Sequence, residues 1–329
     1  MATRFEFVLY GENSIALRAA GEEAIQAIHR LESQLSLYRS SSEIAHVNAR
    51  AALEPVRVSA PVFALLERAQ RLTNETSGTF DITIGPLVHC WGFMGGTGRI
   101  PTEDALSDAR AKVGMHLVRL NRQDFTVRFA TEGVMLDLGA IGKGYAIDCG
   151  TEILREAGVM SGLVHSGTST VSAIGTPPGQ DHWKIAIENP ANCLTPQREP
   201  RNAAGSEIVR DENENQMSDG GAKPLTSVTL KDESLSVSAV WGKSFQADGQ
   251  TLGHVLDPRT GRPITGAVLA AAVLPSATET DALSTALLAL GRDGHESLFK
   301  LRPAMRTLLV NNTDGSFSME TNGNWSTLE

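Results

Sequence analysis

Strand-like and helix-like stretches follow one another along this chain without the regular strand–helix–strand rhythm that a doubly wound parallel sheet requires. Alternation or a compact apolar run marks 5–9, 117–120, 126–129, 134–138, 162–166, 183–187 and 227–230 as strands. Between them Ala24, Ile25, Ile28, Leu31 and Leu35 line one side of a helix over 22–37, and Phe63, Leu66, Ala69 and Leu72 do the same over 62–73. Irregular interleaving of this kind predicts an α+β fold with mixed or antiparallel sheets flanked by helices. Residues 191–226 differ in texture. Pro196, Pro200, Gly205, Gly220, Gly221 and Pro224 punctuate a mixed-charge stretch with few large apolar groups, which reads as a flexible insertion between two strands.

With 329 residues the chain can bury a sizeable core. Its 29 basic against 38 acidic residues give a net charge of -9, which argues against a surface built to neutralise nucleic-acid phosphates and leaves room for a local basic pocket. Three cysteines, Cys90, Cys149 and Cys193, form no CxxC pair, so neither a zinc knuckle nor a disulfide framework is expected, and a reducing compartment fits. Arg4 and Glu6 interrupt any leader-like apolar run, and no window is apolar enough to span a bilayer. The expectation is a cytoplasmic protein with no membrane segment.

Chemistry concentrates in four places. At 136–148 a predicted strand enters a turn with Gly139, Gly142, Lys143 and Gly144 and opens onto a helix, an arrangement that aims backbone N–H groups and one positive charge at phosphate. It is neither a Walker A loop nor GxGxxG, and a plain strand-to-helix turn with a solvated lysine explains it equally well. At 278–291, Asp281 and Thr285 are four apart on one face of a helix closed by Gly291. They could offer oxygens to a hard cation such as Mg2+, while Thr278 and Asp281 also fit a capping box. At 253–263, Asp257-Pro258 and Thr260-Gly261 make a tight turn beside His254. A lone histidine is more often structural than catalytic. At 78–93, Asp81 lies among Thr79, Phe80, Ile82 and Trp91, where core packing is the simpler reading. No HExxH, GxSxG or recognisable triad is present, so serine or zinc hydrolysis has little support.

The order and company of these elements resemble the ApbE family, the FAD:protein FMN transferases, over nearly the whole chain. Residues 136–148 are similar to its DxGAxxKGYxxD element, 254–263 to HxLDPxTGxP, 281–291 to DALxTALxxLG, and 79–93 to FDxTxGPLxxxWGF. Leu37-Tyr38-Arg39 resembles the family's early tyrosine loop, and Trp183 to Pro190 its W-x-I-x-I-x-x-P strand. The chain departs from the pattern at Tyr10-Gly11-Glu12, at Ser166-Gly167-Thr168-Ser169 and at Ser238-Ala239, and it carries no lipobox cysteine.

The resemblance implies one compact T-fold-like α+β unit over 1–329, with the insertion at 191–226. It implies Mg2+ held by the Ala140 carbonyl, Asp281 and Thr285, and FAD contacted by Thr79, Phe80, Asp81, Asp137, Lys143 and Val255, with Tyr38 stacked on a ring of the dinucleotide. The implied reaction moves FMN from FAD to a Thr or Ser hydroxyl of an acceptor protein and releases AMP. Histidine titrates near neutrality, which makes His254 the candidate general base. Two alternatives share these residues: hydrolysis of FAD to FMN and AMP, and FAD binding without catalysis.

Overall fold

The computed structural model describes residues 3–96, 98–194, 223–242, 244–247, 250–313 and 316–325. Strand β1 (Phe5–Tyr10) leads into α1 (Ser14–Leu35), α2 (Glu43–Arg50), β2 (Val56–Arg57), α3 (Ala60–Glu75), α4 (Gly85–Cys90), α5 (Glu103–Arg110), β3 (Val118–Asn121), β4 (Thr126–Phe129) and α6 (Gly142–Glu156). There follow β5 (Ser161–Ser166), β6 (Thr170–Ile174), β7 (Trp183–Ile187), α7 (Pro190–Leu194), β8 (Thr226–Leu230), β9 (Ser234–Ala239), β10 (Ser244–Ala247) and β11 (Gln250–Gly253). The chain then forms β12 (Ala267–Leu274), α8 (Ala277–Leu290), α9 (Gly294–Leu301), β13 (Arg306–Thr313) and β14 (Ser316–Asn322).

Seven strands form the main sheet in the order β1-β5-β6-β9-β12-β13-β14, each pair antiparallel. A three-stranded sheet, β2-β4-β3, and the hairpins β7–β8 and β10–β11 complete the strands. The result is α+β, as the interleaving predicts. Every residue of β12 is buried, because the strand is covered on both faces. Ala270, Ala272 and Leu274 pack with Ala282, Leu283, Ala286 and Leu287 of α8. Leu269, Ala271 and Val273 pack with Trp183, Ile187, Val228 and Leu230 of the β7–β8 hairpin. Alanines on the helix side let α8 lie close to the sheet, and α6 packs between α8 and α1.

Two expectations change. The helix read over 22–37 is α1, which starts eight residues earlier, at Ser14, with the Asn13 side chain accepting from the Ala16 N–H at 3.1 Å. Residues 134–138 are not a strand in a ladder. Met135 makes an isolated bridge to Ile84, and the Asn48 side-chain amide pairs with both backbone groups of Leu136 at 2.8 and 3.0 Å. The Asp137 N–H then donates to the Ile82 carbonyl at 2.7 Å. One amide side chain therefore does locally what a neighbouring strand would do. Most of the insertion expected at 191–226 lies outside the described residues. Among the described residues no helix is long and apolar enough to cross a membrane.

Candidate functional site

The glycine turn before α6 and the first turns of α8 meet face to face. Asp137 Oδ1 accepts the Gly139 N–H at 2.8 Å and tightens the turn, and Lys143 Nζ reaches back to the Gly139 carbonyl at 2.9 Å. In a regular helix the Gly144 N–H would serve the carbonyl of Ala140. Here it donates to Asp281 Oδ2 at 3.0 Å, which leaves the Ala140 carbonyl without a backbone donor among the described residues. Gly144 is required by packing. A Cβ at this position would sit 2.1 Å from the Ala277 carbonyl oxygen and 2.8 Å from Asp281 Cβ.

Asp281 is 4% exposed, and a buried carboxylate is costly unless paired. Its second oxygen lies 3.3 Å from Lys143 Nζ. The capping-box reading of Thr278 and Asp281 gives way, because α8 begins earlier. Ser276 is the N-cap, and Asp148 of α6 accepts from the N–H groups of Ala277 and Thr278 at 2.7 and 2.9 Å and from the hydroxyls of Ser276 and Thr278. With its cap supplied by Asp148, α8 leaves Asp281 free to face the glycine turn. Thr285, one turn on, has Oγ1 3.2 Å from the Asp281 carbonyl and 3.0 Å from Ser238 Oγ.

Tyr38 stands 69% exposed on the turn after α1. What burial it has, and then the charge of Asp137, raise its phenol pKa, so Tyr38 and Asp137 lie within electrostatic reach. Residues 79–81 are oriented differently from one another. Phe80 is in the core, and Thr79 is buried with its hydroxyl donating to the Thr76 carbonyl at 2.9 Å. Asp81 accepts from the Thr83 N–H and hydroxyl at 2.8 and 2.6 Å and from the Met115 N–H at 3.0 Å. Burial still pushes its carboxyl up, the hydrogen bonds notwithstanding. Asp81 lines a cavity of about 380 Å³ with Gly78, Gly114, His116, Pro258 and Arg259.

His254 and Val255 open a tight hairpin. The Ile264 N–H donates to the Val255 carbonyl at 3.0 Å and the Asp257 N–H to the Arg262 carbonyl at 2.9 Å. Asp257 holds Arg259 through both carboxylate oxygens, and Trp91 Nε1 donates to the Gly261 carbonyl at 2.7 Å. The ring of Phe93 meets half-buried His254 edge-on, with centroids 6.4 Å apart. The tryptophan-containing segment and the histidine hairpin, 170 residues apart in sequence at the Trp91–Gly261 bond, are thus one structural unit.

Among the described residues no group of three or more His, Cys, Asp and Glu side chains could hold a metal. A carbonyl, one carboxylate and one hydroxyl, from Ala140, Asp281 and Thr285, are instead a sparse set of hard oxygens. Sequence reasoning gave no role to Asn48, Asp148 or Ser238. Asp148 closes the 137–148 motif and Ser238 stands in a dipeptide that departs from the family pattern, while nothing local marks Asn48.

The sequence model of the ApbE family matches residues 1–309. The FAD:protein FMN transferase of Treponema pallidum is 29% identical over 308 residues, covering 89% of this chain and 77% of its own. That of Vibrio cholerae is 28% identical over 297 residues, covering 89% and 80%. A crystal structure of the ApbE protein of Thermotoga maritima superposes with a TM-score of 0.78 at 23% identity, covering 96% of each chain.

Proposed function

Because the chain belongs to the ApbE family, we propose that it is a FAD:protein FMN transferase that moves FMN from FAD to a Thr or Ser hydroxyl of an acceptor protein, with Mg2+ as cofactor and AMP as leaving group. The observation that carries this reading is the junction of the glycine turn with Asp281: one buried carboxylate, an Ala140 carbonyl with no backbone donor among the described residues, and the Lys143 ammonium around a helix N-terminus.

Ala140, Asp281 and Thr285 fit Mg2+, which is usually held by no more than one or two carboxylates and completes its shell with other hard oxygens, water and phosphate. When bound, the ion would neutralise charge on the FAD pyrophosphate. Lys143 would move one or more of its three donors from Asp281 and Gly139 to a phosphate oxygen, and the first N–H groups of α6 would face the same anion. Tyr38 would stack on a ring of the dinucleotide. Asp137, Val255 and the 79–81 segment would wall the ligand, with Asp81 as the member of that segment that lines a cavity. The acceptor hydroxyl oxygen bonds to the FMN-side phosphorus, and the bond from that phosphorus to the bridging oxygen breaks. His254, its hairpin pinned by Trp91 and the Asp257–Arg259 pair, would take the hydroxyl proton.

The test incubates pure protein with FAD, with and without Mg2+ and an acceptor protein, and resolves AMP and acceptor-bound flavin by chromatography. AMP that appears only with both additions, and is lost in Asp281→Asn, supports transfer. AMP at an equal rate without acceptor would make the protein a FAD hydrolase, and no AMP under any condition a FAD-binding protein.

A further inference from the structure

Ser234, Ser236 and Ser238 lie at alternate positions of β9 and so share one face of the sheet, the face that meets α8. Each finds another hydroxyl. Ser234 Oγ donates to Ser172 Oγ at 3.0 Å, Ser236 Oγ lies 2.8 Å from Thr280 Oγ1, and Ser238 Oγ lies 2.9 Å from Ser284 Oγ and 3.0 Å from Thr285 Oγ1. Ser234 and Ser236 are fully buried, whereas Ser238 and Thr285 are half-buried. The ladder therefore opens toward solvent at the end where Thr285 stands.

Each hydroxyl has one proton to give. Ser284 Oγ donates to the Asp281 carbonyl at 3.1 Å, and Thr285 Oγ1 lies 3.2 Å from the same carbonyl, a poorer distance to an acceptor already in use. A hydroxyl that turns its lone pairs to a divalent cation becomes a stronger donor and needs a good acceptor for its proton. Ser238 Oγ, at 3.0 Å, is that acceptor. Its own O–H then donates to Ser284 Oγ, which keeps its bond to the Asp281 carbonyl. The chain Thr285 to Ser238 to Ser284 to Asp281 carbonyl gives Ser238 and Ser284 one donor and one acceptor role each and leaves the Thr285 lone pairs for the cation, and such chains strengthen each member.

We propose that Ser238 is a positioning residue for the cation site, holding the Thr285 hydroxyl so that its lone pairs face the space beside Asp281 and Ala140. The inference rests on the proposed use of Asp281 and Thr285 as ligands, and its test separates the two.

Mn2+ takes the same hard oxygen donors and can be counted free in solution by its EPR signal. Titrated into the FAD-loaded protein without acceptor, Ser238→Ala weakens Mn2+ binding about tenfold, the size of one hydrogen bond to a charged centre. Ser238→Thr, which keeps the oxygen, restores it. Ser236→Ala removes an equally placed hydroxyl that serves Thr280 and leaves binding within about twofold of wild type. If Ser238→Ala does not fold, Ser284→Ala, which removes the next link, shows a weaker loss of the same kind. Binding unchanged in Ser238→Ala, or in Ser284→Ala where that variant replaces it, while Asp281→Asn abolishes it would overturn the inference alone, as would an equal loss in Ser236→Ala. A wild type that binds no Mn2+, or an Asp281→Asn variant that binds it normally, overturns the site reading and the inference together.

Discussion

Gly144→Ala tests whether α6 and α8 must touch for the site to exist. The added Cβ would lie 2.1 Å from the Ala277 carbonyl oxygen and 2.6 Å from its carbon, both backbone atoms that no rotamer change can remove. Ordinary carbon–oxygen contact begins at about 3.3 Å, so the two helices would have to part by about 1 Å at this point. Overpacking of this kind costs about 1 to 3 kcal/mol. Lengthening the Gly144 N–H bond to the Asp281 carboxylate costs a further ~1.5 to 3 kcal/mol, and the better helix propensity of alanine returns about 0.5 to 1 kcal/mol. The net expectation is a loss of about 2 to 5 kcal/mol. Gly150→Ala is the matched control on the same helix, because its Cβ would meet the tip of Ile28 at 3.3 Å, an atom that can swing aside. Urea denaturation of the two variants and wild type, compared at equal m-value, reads the difference. A Gly144→Ala midpoint equal to that of Gly150→Ala would show that the helices are not in the contact the argument needs.

Asp148→Ala removes an acceptor serving two backbone N–H groups and two hydroxyls at the start of α8, so a loss of about 2 to 4 kcal/mol in urea is expected. A loss under about 0.5 kcal/mol would mean Ser276 caps the helix unaided. Lys143→Met leaves Asp281 buried without its cation, so the variant should be less stable than wild type. Mg2+ should then raise its melting temperature more than that of wild type, and equal shifts would refute competition between Lys143 and the ion for Asp281. Asp81 supplies a pH test. Burial raises its folded pKa above the ordinary 3.8, so the folded state holds this proton more tightly than the unfolded chain does. Its contribution is most favourable below that value and is lost as pH rises through the folded pKa. Wild-type stability measured against Asp81→Asn should therefore fall as pH rises from about 4 toward neutral, and a rise would contradict the assigned cause.

How much of this was legible in the sequence depended on whether the deciding contact was local. The helix over 278–291 was readable because Gly291, at φ +64°, closes it by backbone geometry alone. The role of Asp281 was not, since an acid in the first turns of a helix serves as cap or ligand equally well. What removes the capping reading is Asp148, 130 residues from the Thr278 it caps. Strand β12 escaped the alternation test because it is buried on both faces. Strand β9, Ser-Leu-Ser-Val-Ser-Ala over 234–239, does alternate, but the alternation assigns its serines to solvent, whereas Ser234 and Ser236 are buried and each serine is satisfied by a hydroxyl from another element. Residues 134–138 deceived in the opposite sense. Their apolar run belongs in the core, but Asn48 satisfies Leu136 where a ladder was expected.

The Lys143–Asp281 pair looks at first like an obstacle to a cation site, since the lysine stands where a metal's charge would be needed. Its geometry argues the reverse. Asp281 is nearly sealed from solvent, with a side chain 5% exposed, whereas Lys143 is 24% exposed and anchored otherwise to a carbonyl of its own turn. The carboxylate cannot leave, and the ammonium can, on a four-carbon stem. An incoming diphosphate offers the lysine more negative charge than one shared carboxylate does, and a divalent cation arriving with that diphosphate offers Asp281 more positive charge than one lysine does. At the proposed site, partner exchange would let ligand and metal enter together without leaving a buried charge unpaired, whereas either arriving alone would strand one member of the pair. Binding of the nucleotide and of the ion should therefore be mutually reinforcing at this site, each strengthening the other by the same factor.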